Sequence, residues 1–220
     1  MTARHPAESP AYAKLRDELQ EAEVALRDQR ERVAALRRSL PRDTVVPDET
    51  FEEIVDGVRV PVKLSELFTD GDKPLILMHF MYGGSQEQPC PMCTMWADGY
   101  EGAIPHIEER ANFAILVAGD VGAFAEYARS RGWSKLRIVS AAGSAIKREL
   151  GFETEDGAQL PGVSIFSRSD DGGLVHFYSQ CAFLGEHGFR GMDLLSPVWN
   201  YFDLTPEGRG DFMPSKSYAT

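Results

Sequence analysis

The chain lacks three features that would each indicate a different class of protein. It has only three cysteines among 220 residues, an odd and small number that does not fit the disulfide framework of a secreted domain. No apolar stretch approaches the roughly 20 residues of a membrane-spanning helix. The first twenty residues contain no apolar core of signal-peptide length. We therefore expect a soluble, cytoplasmic protein.

Basic side chains are also scarce relative to acidic ones. With 34 acidic and 23 basic residues, the formal net charge is -11 at pH 7. A charge of this sign repels the phosphates of nucleic acids and anionic membrane surfaces, so we expect neither as a partner. The apolar fraction of 43% and the length of the chain are typical of one well-buried domain with an appendage.

Residues 1–44 are predicted to form a helical arm. Residues 11–40 contain neither glycine nor proline and are rich in residues that favour a helix. Side chains that are apolar except for one glutamine recur at alternating spacings of three and four, the heptad pattern of a coiled coil: Tyr12, Leu15, Leu19, Ala22, Leu26, Gln29, Val33, Leu36 and Leu40. The pattern predicts either a homodimer through this helix or an amphipathic helix that lies on its own domain.

Residues 45–210 alternate between strand-like and helix-like patterns, and residues 211–220 are predicted to be a flexible tail. The strands are predicted at 51–55, 58–60, 75–81, 113–117, 136–139, 163–167 and 174–178. The helices are predicted at 64–68, 92–109, 121–131 and 144–150, with an interruption near Pro105 in the second. Such alternation, closed by a hairpin, predicts an α/β fold with a mixed central sheet flanked by helices.

The most informative segment is Cys90-Pro91-Met92-Cys93, which follows a strand-like run and leads into a helix-like one. Unpaired backbone N–H groups and the positive end of the helix dipole favour a thiolate there. Cys90 is therefore predicted to be the nucleophile. Cys93, one helical turn later on the same side, is predicted to be the resolving thiol. The alternative is a pair of small apolar side chains at the start of a helix.

Short motifs over nearly the whole chain resemble the thioredoxin-like superfamily and, more closely, a bacterial family called domain of unknown function 899. They are RRSLP at 37–41, LSELF at 64–68, HFM at 79–81, CPMC at 90–93, WADG at 96–99, PG at 161–162 and NYFDLTPEGR at 200–209. The resemblance implies a thioredoxin-like fold and says little about the substrate.

The resemblance also indicates where a substrate would bind. In thioredoxin-like folds a proline turn sits against the dithiol and offers its backbone to an extended substrate. Pro161 directly precedes a predicted strand, so we expect a cis bond after Leu160, with an ordinary trans turn as the alternative. Leu160, Pro161 and Trp96 are predicted to border the substrate, which would be a disulfide-containing protein or a small thiol.

The sequence departs from thioredoxins around the dithiol. A proline follows the first cysteine, and residues 83–89 are inserted between the strand and Cys90. His79 falls near the place of the buried aspartate of thioredoxins. A neutral imidazole there would move protons for Cys93, and a hydrogen-bonded core histidine is the alternative.

Two other functions compete with disulfide exchange. A peroxiredoxin has threonine or serine three residues before its reactive cysteine, where this chain has Glu87; Arg137 would be the candidate to steady a peroxide. A redox-inert domain that serves dimerisation or partner binding is the non-enzymatic alternative.

A structural zinc site is the remaining alternative. Cys90, Cys93 and His106 would supply three ligands, with Cys181 or His79 as the fourth. Cys181 is otherwise expected to be a packed thiol, with a third redox partner as its alternative role. We predict no cofactor and no resident metal.

Overall fold

The computed structural model of the chain describes residues 5–71, 73–185 and 189–217. Residues 1–4 of the predicted arm and 218–220 of the predicted tail lie outside the described residues. The chain divides into two compact units, Met1–Pro41 and Arg42–Thr220.

The first unit contains one long helix, α1 (Pro10–Arg38), which confirms the predicted N-terminal helix. The Ser9 side chain caps the helix by accepting a hydrogen bond from the backbone N–H of Tyr12 at 3.2 Å. Pro10 occupies the first turn, where a backbone donor is not needed. None of the residues of α1 is buried, and the apolar positions of the heptad pattern are widely exposed, among them Tyr12, Leu15, Leu19, Leu26 and Leu36.

A seven-stranded mixed sheet forms the centre of the second unit. Its strands are, in chain order, β1 (Thr50–Val55), β2 (Val58–Lys63), β3 (Leu75–His79), β4 (Asn112–Val117), β5 (Ile138–Ser140), β6 (Gly162–Arg168) and β7 (Leu174–Cys181). The spatial order is β2-β1-β5-β4-β3-β6-β7. Strand β3 pairs in parallel with β4 and antiparallel with β6, so it lies inside the sheet.

Helices cover both faces of the sheet. They are α2 (Pro91–Ile107), α3 (Val121–Arg131), α4 (Ile146–Glu149) and α5 (Val198–Phe202), with 3-10 helices at Leu64–Leu67 and Phe189–Leu194. One core layer contains Met78 and Phe80 with α2 and α3, and the other contains Leu75 and Leu77 with α4. The predicted α/β fold, with a mixed central sheet flanked by helices and a long N-terminal helix, is confirmed. None of the described helices is both long and apolar enough to cross a membrane.

Turn residues define the connections, and one proline behaves differently from its prediction. Asp56 and Gly57 both have positive φ, as a two-residue hairpin turn requires, and Gly132 ends α3 in the left-handed conformation. Helix α2 runs through Pro105 to its end at Ile107, so the expected interruption is wrong. Proline removes only its own N–H donor, and the hydrogen bonds on its C-terminal side persist, since the Glu108 N–H donates to the Ile104 carbonyl at 2.9 Å.

The expected cis bond before Pro161 is also wrong. No peptide bond between described residues is cis, so the bond from Leu160 to Pro161 is trans. Trans is the lower-energy form of an X–Pro bond by about 0.5–1 kcal/mol. The backbone on both sides is fixed by hydrogen bonds of 2.9 Å, from the Leu160 N–H to the Phe152 carbonyl and from the Ala182 N–H to the Pro161 carbonyl.

The insertion at 83–89 folds back on itself before the dithiol. Gly83 and Gln86 exchange backbone hydrogen bonds of 2.7 and 3.0 Å, and the Ser85 N–H donates to the Gly157 carbonyl at 3.1 Å. Gly83 has a φ of +98°, and a Cβ at this position would overlap the backbone of Gly119. Only glycine fits both the conformation and the close approach.

Gly83→Ala is expected to lower the free energy of unfolding by about 2 kcal/mol or more, because it adds a steric overlap to a strained φ. The control is Gly99→Ala in helix α2, where a Cβ has no neighbour within 4 Å. This change is expected to raise the free energy of unfolding by about 0.5–1 kcal/mol. Chemical denaturation measures both. Equal stabilities of the two variants would contradict the close approach of Gly83 and Gly119.

We propose that the exposed heptad positions of α1 pair with those of a second copy. Leu19→Glu combined with Leu26→Glu is then expected to convert a dimer into a monomer of 24.4 kDa, because charges at these positions disrupt the apolar contact of a coiled coil. Val24→Glu is the control, since Val24 is exposed and lies outside the heptad positions. Light scattering after size exclusion gives the masses. A monomeric unsubstituted chain would contradict the proposal.

Candidate active site

The end of β3 fixes the backbone of the dithiol. Cys90 is the N-cap of α2, with φ -67° and ψ 129°, and Pro91 occupies the first turn. The Cys90 N–H donates to the Met81 carbonyl at 3.2 Å, and the Cys90 carbonyl accepts from the Thr94 N–H at 2.9 Å. The Thr94 hydroxyl donates to the same carbonyl at 2.9 Å and also shares a hydrogen bond with Tyr127. Cys90 therefore has one fixed position at the mouth of the helix.

Cys90 has the properties of a nucleophile. A hydrogen bond from the Cys93 thiol lowers the pKa of Cys90 to about 6, and the backbone N–H groups of Cys93 and Met92 and the positive charge of Lys216 act in the same direction. Burial opposes them, but the side chain is only partly buried. At pH 7 the sulfur is thus mainly a thiolate, the form that attacks disulfides.

Cys93 has the opposite properties. Its side chain is 1% exposed. This burial raises the pKa of Cys93 well above its ordinary value, and the hydrogen bond to Cys90 and the charge of Cys90 raise it further. The backbone N–H of Met81 and the charge of Lys147 lower it. Cys93 thus remains a thiol that donates to the Cys90 thiolate, and the structure brings the two predicted site cysteines together as free thiols.

The residues predicted to border the substrate lie at different depths. Trp96 is 1% exposed and packs in the same core layer as Cys93. Pro161 is buried and Leu160 is half-buried. Contacts of these three residues with a substrate stay predictions.

His79 belongs to the core layer opposite the dithiol, because its side chain alternates with those of Met78 and Phe80 along the strand. Its ring stacks on Phe152 with centroids 3.7 Å apart, and burial lowers its pKa well below the ordinary value. Hydrogen bonds of 2.8, 2.6 and 2.7 Å lead from its Nε2 through two serine hydroxyls to a second histidine: Ser164, Ser179 and His176. Its transfer of protons for Cys93 stays a prediction.

Two lysines act on the dithiol although no sequence pattern indicates them: Lys216 on Cys90 and Lys147 on Cys93. Lys147 stands in the helix-like run IKRE, which is typical of a solvated face, yet its side chain is 1% exposed. Lys216 falls in the predicted tail, where the Arg131 guanidinium donates to its backbone carbonyl at 2.5 Å. The aromatic side chains that follow Trp199 in the sequence are the signal that could have indicated a packed C-terminal segment, and Trp199 packs in the core layer of the dithiol.

The residues predicted for a peroxidase or for a zinc site do not cluster around the dithiol. The Arg137 guanidinium donates to Glu53 at 3.0 Å and to the Glu66 carbonyl at 3.0 Å, next to β5. His106 is exposed in the last turn of α2, at the opposite end of that helix from Cys90. No group of three or more potential metal ligands occurs among the described residues. Cys181 ends β7 opposite Gly162.

A family model and several solved structures match the chain. The model of a bacterial protein family of unknown function, DUF899, matches residues 1–219. The mitochondrial 2-Cys peroxiredoxin of Plasmodium falciparum is 14% identical, with 73% of this chain and 93% of that chain covered and a TM-score of 0.48. The oxidised Prx3 of Vibrio vulnificus is 15% identical, with 64% and 88% covered and a TM-score of 0.46. A search of curated proteins found no match.

The alkylation rate of Cys90 by iodoacetamide is expected to rise with pH around a midpoint of about 6, because only the thiolate reacts. Cys93→Ala removes the hydrogen bond that lowers the pKa most, so the midpoint should move toward the ordinary value of 9.0. Mass spectrometry of the Cys90 peptide measures the rate, with Cys181→Ala as a control that keeps the original midpoint. An unchanged midpoint in Cys93→Ala would show that this hydrogen bond is not the cause.

Proposed function

The chain belongs to the DUF899 family of bacterial proteins of unknown function, and from its dithiol geometry we propose that it is a thiol-disulfide oxidoreductase. The observation that carries the proposal is the hydrogen bond between Cys93 and Cys90, which lowers the pKa of one sulfur and raises that of the other. The pair thus contains an ionised nucleophile beside a protonated resolving thiol.

The first step consumes the disulfide of the substrate. The Cys90 thiolate attacks one sulfur of R–S–S–R′, a bond forms between Cys90 and the R sulfur, and the S–S bond of the substrate breaks. The electron pair leaves with R′–S⁻, which takes a proton from water. The N–H groups at the start of α2 stabilise the thiolate before the attack, and the partial exposure of Cys90 gives a substrate access.

The second step releases the other half of the substrate. The Cys93 sulfur attacks Cys90, the bond from Cys90 to the R sulfur breaks, and R–SH leaves with the proton that Cys93 gives up. Two electrons have then passed from the protein to the substrate, and a disulfide joins Cys90 to Cys93. A dithiol reductant, from a protein or a small molecule, restores the two thiols by the reverse exchange.

A thiol peroxidase is a second candidate, because a partly exposed thiolate with a pKa of about 6 also attacks a peroxide. Cys90 would become a sulfenic acid as the O–O bond breaks, and Cys93 would condense with it to a disulfide and water. The residues around Cys90 favour disulfide exchange over peroxide reduction. Glu87 stands where a hydroxyl side chain would be needed, and Arg137 is paired with Glu53.

Cys90→Ser is expected to reduce the rate of insulin disulfide reduction by at least about a hundredfold, because it removes the nucleophile. Cys93→Ser is expected to accumulate a mixed disulfide at Cys90, since the resolving thiol is missing, and mass spectrometry detects this adduct. Cys181→Ser is the control and should keep the activity of the unsubstituted protein. The measurements are turbidity for insulin reduction and intact mass for the adduct.

The same proteins distinguish the alternatives. Faster oxidation by hydrogen peroxide than by disulfides, at equal concentration, would favour the peroxidase. If the protein reacts with neither substrate and the pKa of Cys90 is near the free value of about 8.5, the result would favour a redox-inert domain that serves partner binding.

A further inference from the structure

Lys147 is a buried ammonium next to the dithiol that the steps above do not use. It is 1% exposed, and lysine is almost never so deeply buried without a partner. Its Nζ donates to the backbone carbonyl of Phe80 at 3.1 Å, and no carboxylate lies within ion-pair distance of it among the described residues. Keeping this charge in the interior costs free energy, so its hydrogen bond to Phe80 is informative.

That contact leads directly to Cys93. The Phe80 carbonyl belongs to the same peptide group as the Met81 N–H, and this N–H donates to the Cys93 sulfur. The C=O and N–H of a trans peptide lie in one plane and point in opposite directions. Lys147 therefore approaches this peptide group from one side and Cys93 from the other.

The two partners come from opposite faces of the sheet. Helix α4 carries Lys147, and its Ile146 packs in the core layer of Leu75 and Leu77. Helix α2 carries Cys93, which packs in the other layer with Phe80. The peptide group at the end of β3 is thus a polar connection between the layers. A donor on its carbonyl polarises the group and strengthens the hydrogen bond that its N–H gives.

The charges near Lys147 agree with such a connection. Burial lowers the pKa of Lys147 to about 8, while Cys93 and Glu153 raise it. Reciprocally, Lys147 lowers the pKa of Cys93. His79 faces the same ammonium but its own pKa is well below the ordinary value, so it is neutral. Glu153 is engaged with Arg148 at 2.8 Å and Gln159 at 2.8 Å, which leaves the Cys93 thiolate as the charge that Lys147 can stabilise.

We propose that Lys147 is a positioning residue of the resolving step, whose ammonium stabilises the developing Cys93 thiolate through the peptide group of Phe80 and Met81. The inference rests on the proposed oxidoreductase function. It adds a residue that assists only the second step, the attack of Cys93 on the mixed disulfide. As Cys93 attacks the mixed disulfide, its proton passes to the leaving R–S⁻, or to water when that thiolate is only weakly basic, and Lys147 keeps its own protons. Cys90 attacks first without help from Lys147.

The test separates the two steps with the aromatic disulfide 5,5′-dithiobis(2-nitrobenzoic acid). Every protein carries Cys181→Ser, so that only the dithiol reacts. Attack by Cys90 releases the first equivalent of the coloured thiolate, and resolution by Cys93 releases the second. Stopped-flow absorbance records both phases.

Lys147→Gln is expected to leave the first phase unchanged within about twofold and to slow the second at least about tenfold, the equivalent of one pKa unit on Cys93. Lys147→Arg should recover part of the second phase, because it keeps the charge. Lys135→Gln is the matched control, since it makes the same substitution at an exposed lysine, and it should change neither phase. Equal slowing of both phases, or of neither, would overturn the proposal.

The protein with an unsubstituted Lys147 gives an independent readout if Lys147→Gln does not fold. The second phase should rise about tenfold per pH unit below pH 8, as Cys93 ionises, and then level off as Lys147 loses its proton at about pH 8. If the rate of the second phase continues to rise tenfold per pH unit up to pH 9, the role of Lys147 is overturned, while the proposed oxidoreductase function is not. Absence of a second phase at every pH would overturn the proposed oxidoreductase and this inference together.

Discussion

The backbone of Met81, just beyond the end of β3, is the constraint on which the site depends. Its carbonyl accepts the N–H of Cys90 at 3.2 Å, and its own N–H donates to the Cys93 sulfur. Both groups of one residue thus hold the two cysteines. Strand β3 is paired on both sides, with β4 and with β6, so the sheet fixes this backbone and the geometry of the dithiol follows from it.

The two sulfurs differ because they meet different amounts of solvent at this fixed position. Cys93 lies inside the core layer beneath α2, whereas Cys90 caps the helix and keeps an exposed surface. Burial makes ionisation of Cys93 costly, and the thiol that remains stabilises the Cys90 thiolate by donating to it. A single hydrogen bond therefore assigns both roles. The C-terminal segment contributes to the same region through Trp199 and the charge of Lys216.

Much of the fold could be predicted because its signals are local. The hairpin turn at Asp56-Gly57, the stop of α3 at Gly132 and the apolar run of β3 each depend on the conformational preference or burial of a few neighbouring residues. The predictions for Pro105 and Pro161 are wrong for the same physical reason. Proline restricts its own φ and donates no hydrogen bond, but its effect depends on where the helix ends and on which distant backbone groups hold the turn.

Three features follow from the amino-acid sequence alone: the α/β class, the N-terminal helix, and the place of Cys90 and Cys93 at a helix start after a central strand. Periodicity, turn residues and cysteine spacing act within one or two turns of chain, so they are readable without contacts. The tertiary structure adds three facts: Cys93 is the buried sulfur, Lys147 reaches Phe80 across 67 positions of sequence, and the charge of Lys216 acts on Cys90. Burial and electrostatic interactions depend on distance in space, and IKRE looks like a solvated helix until the fold encloses it.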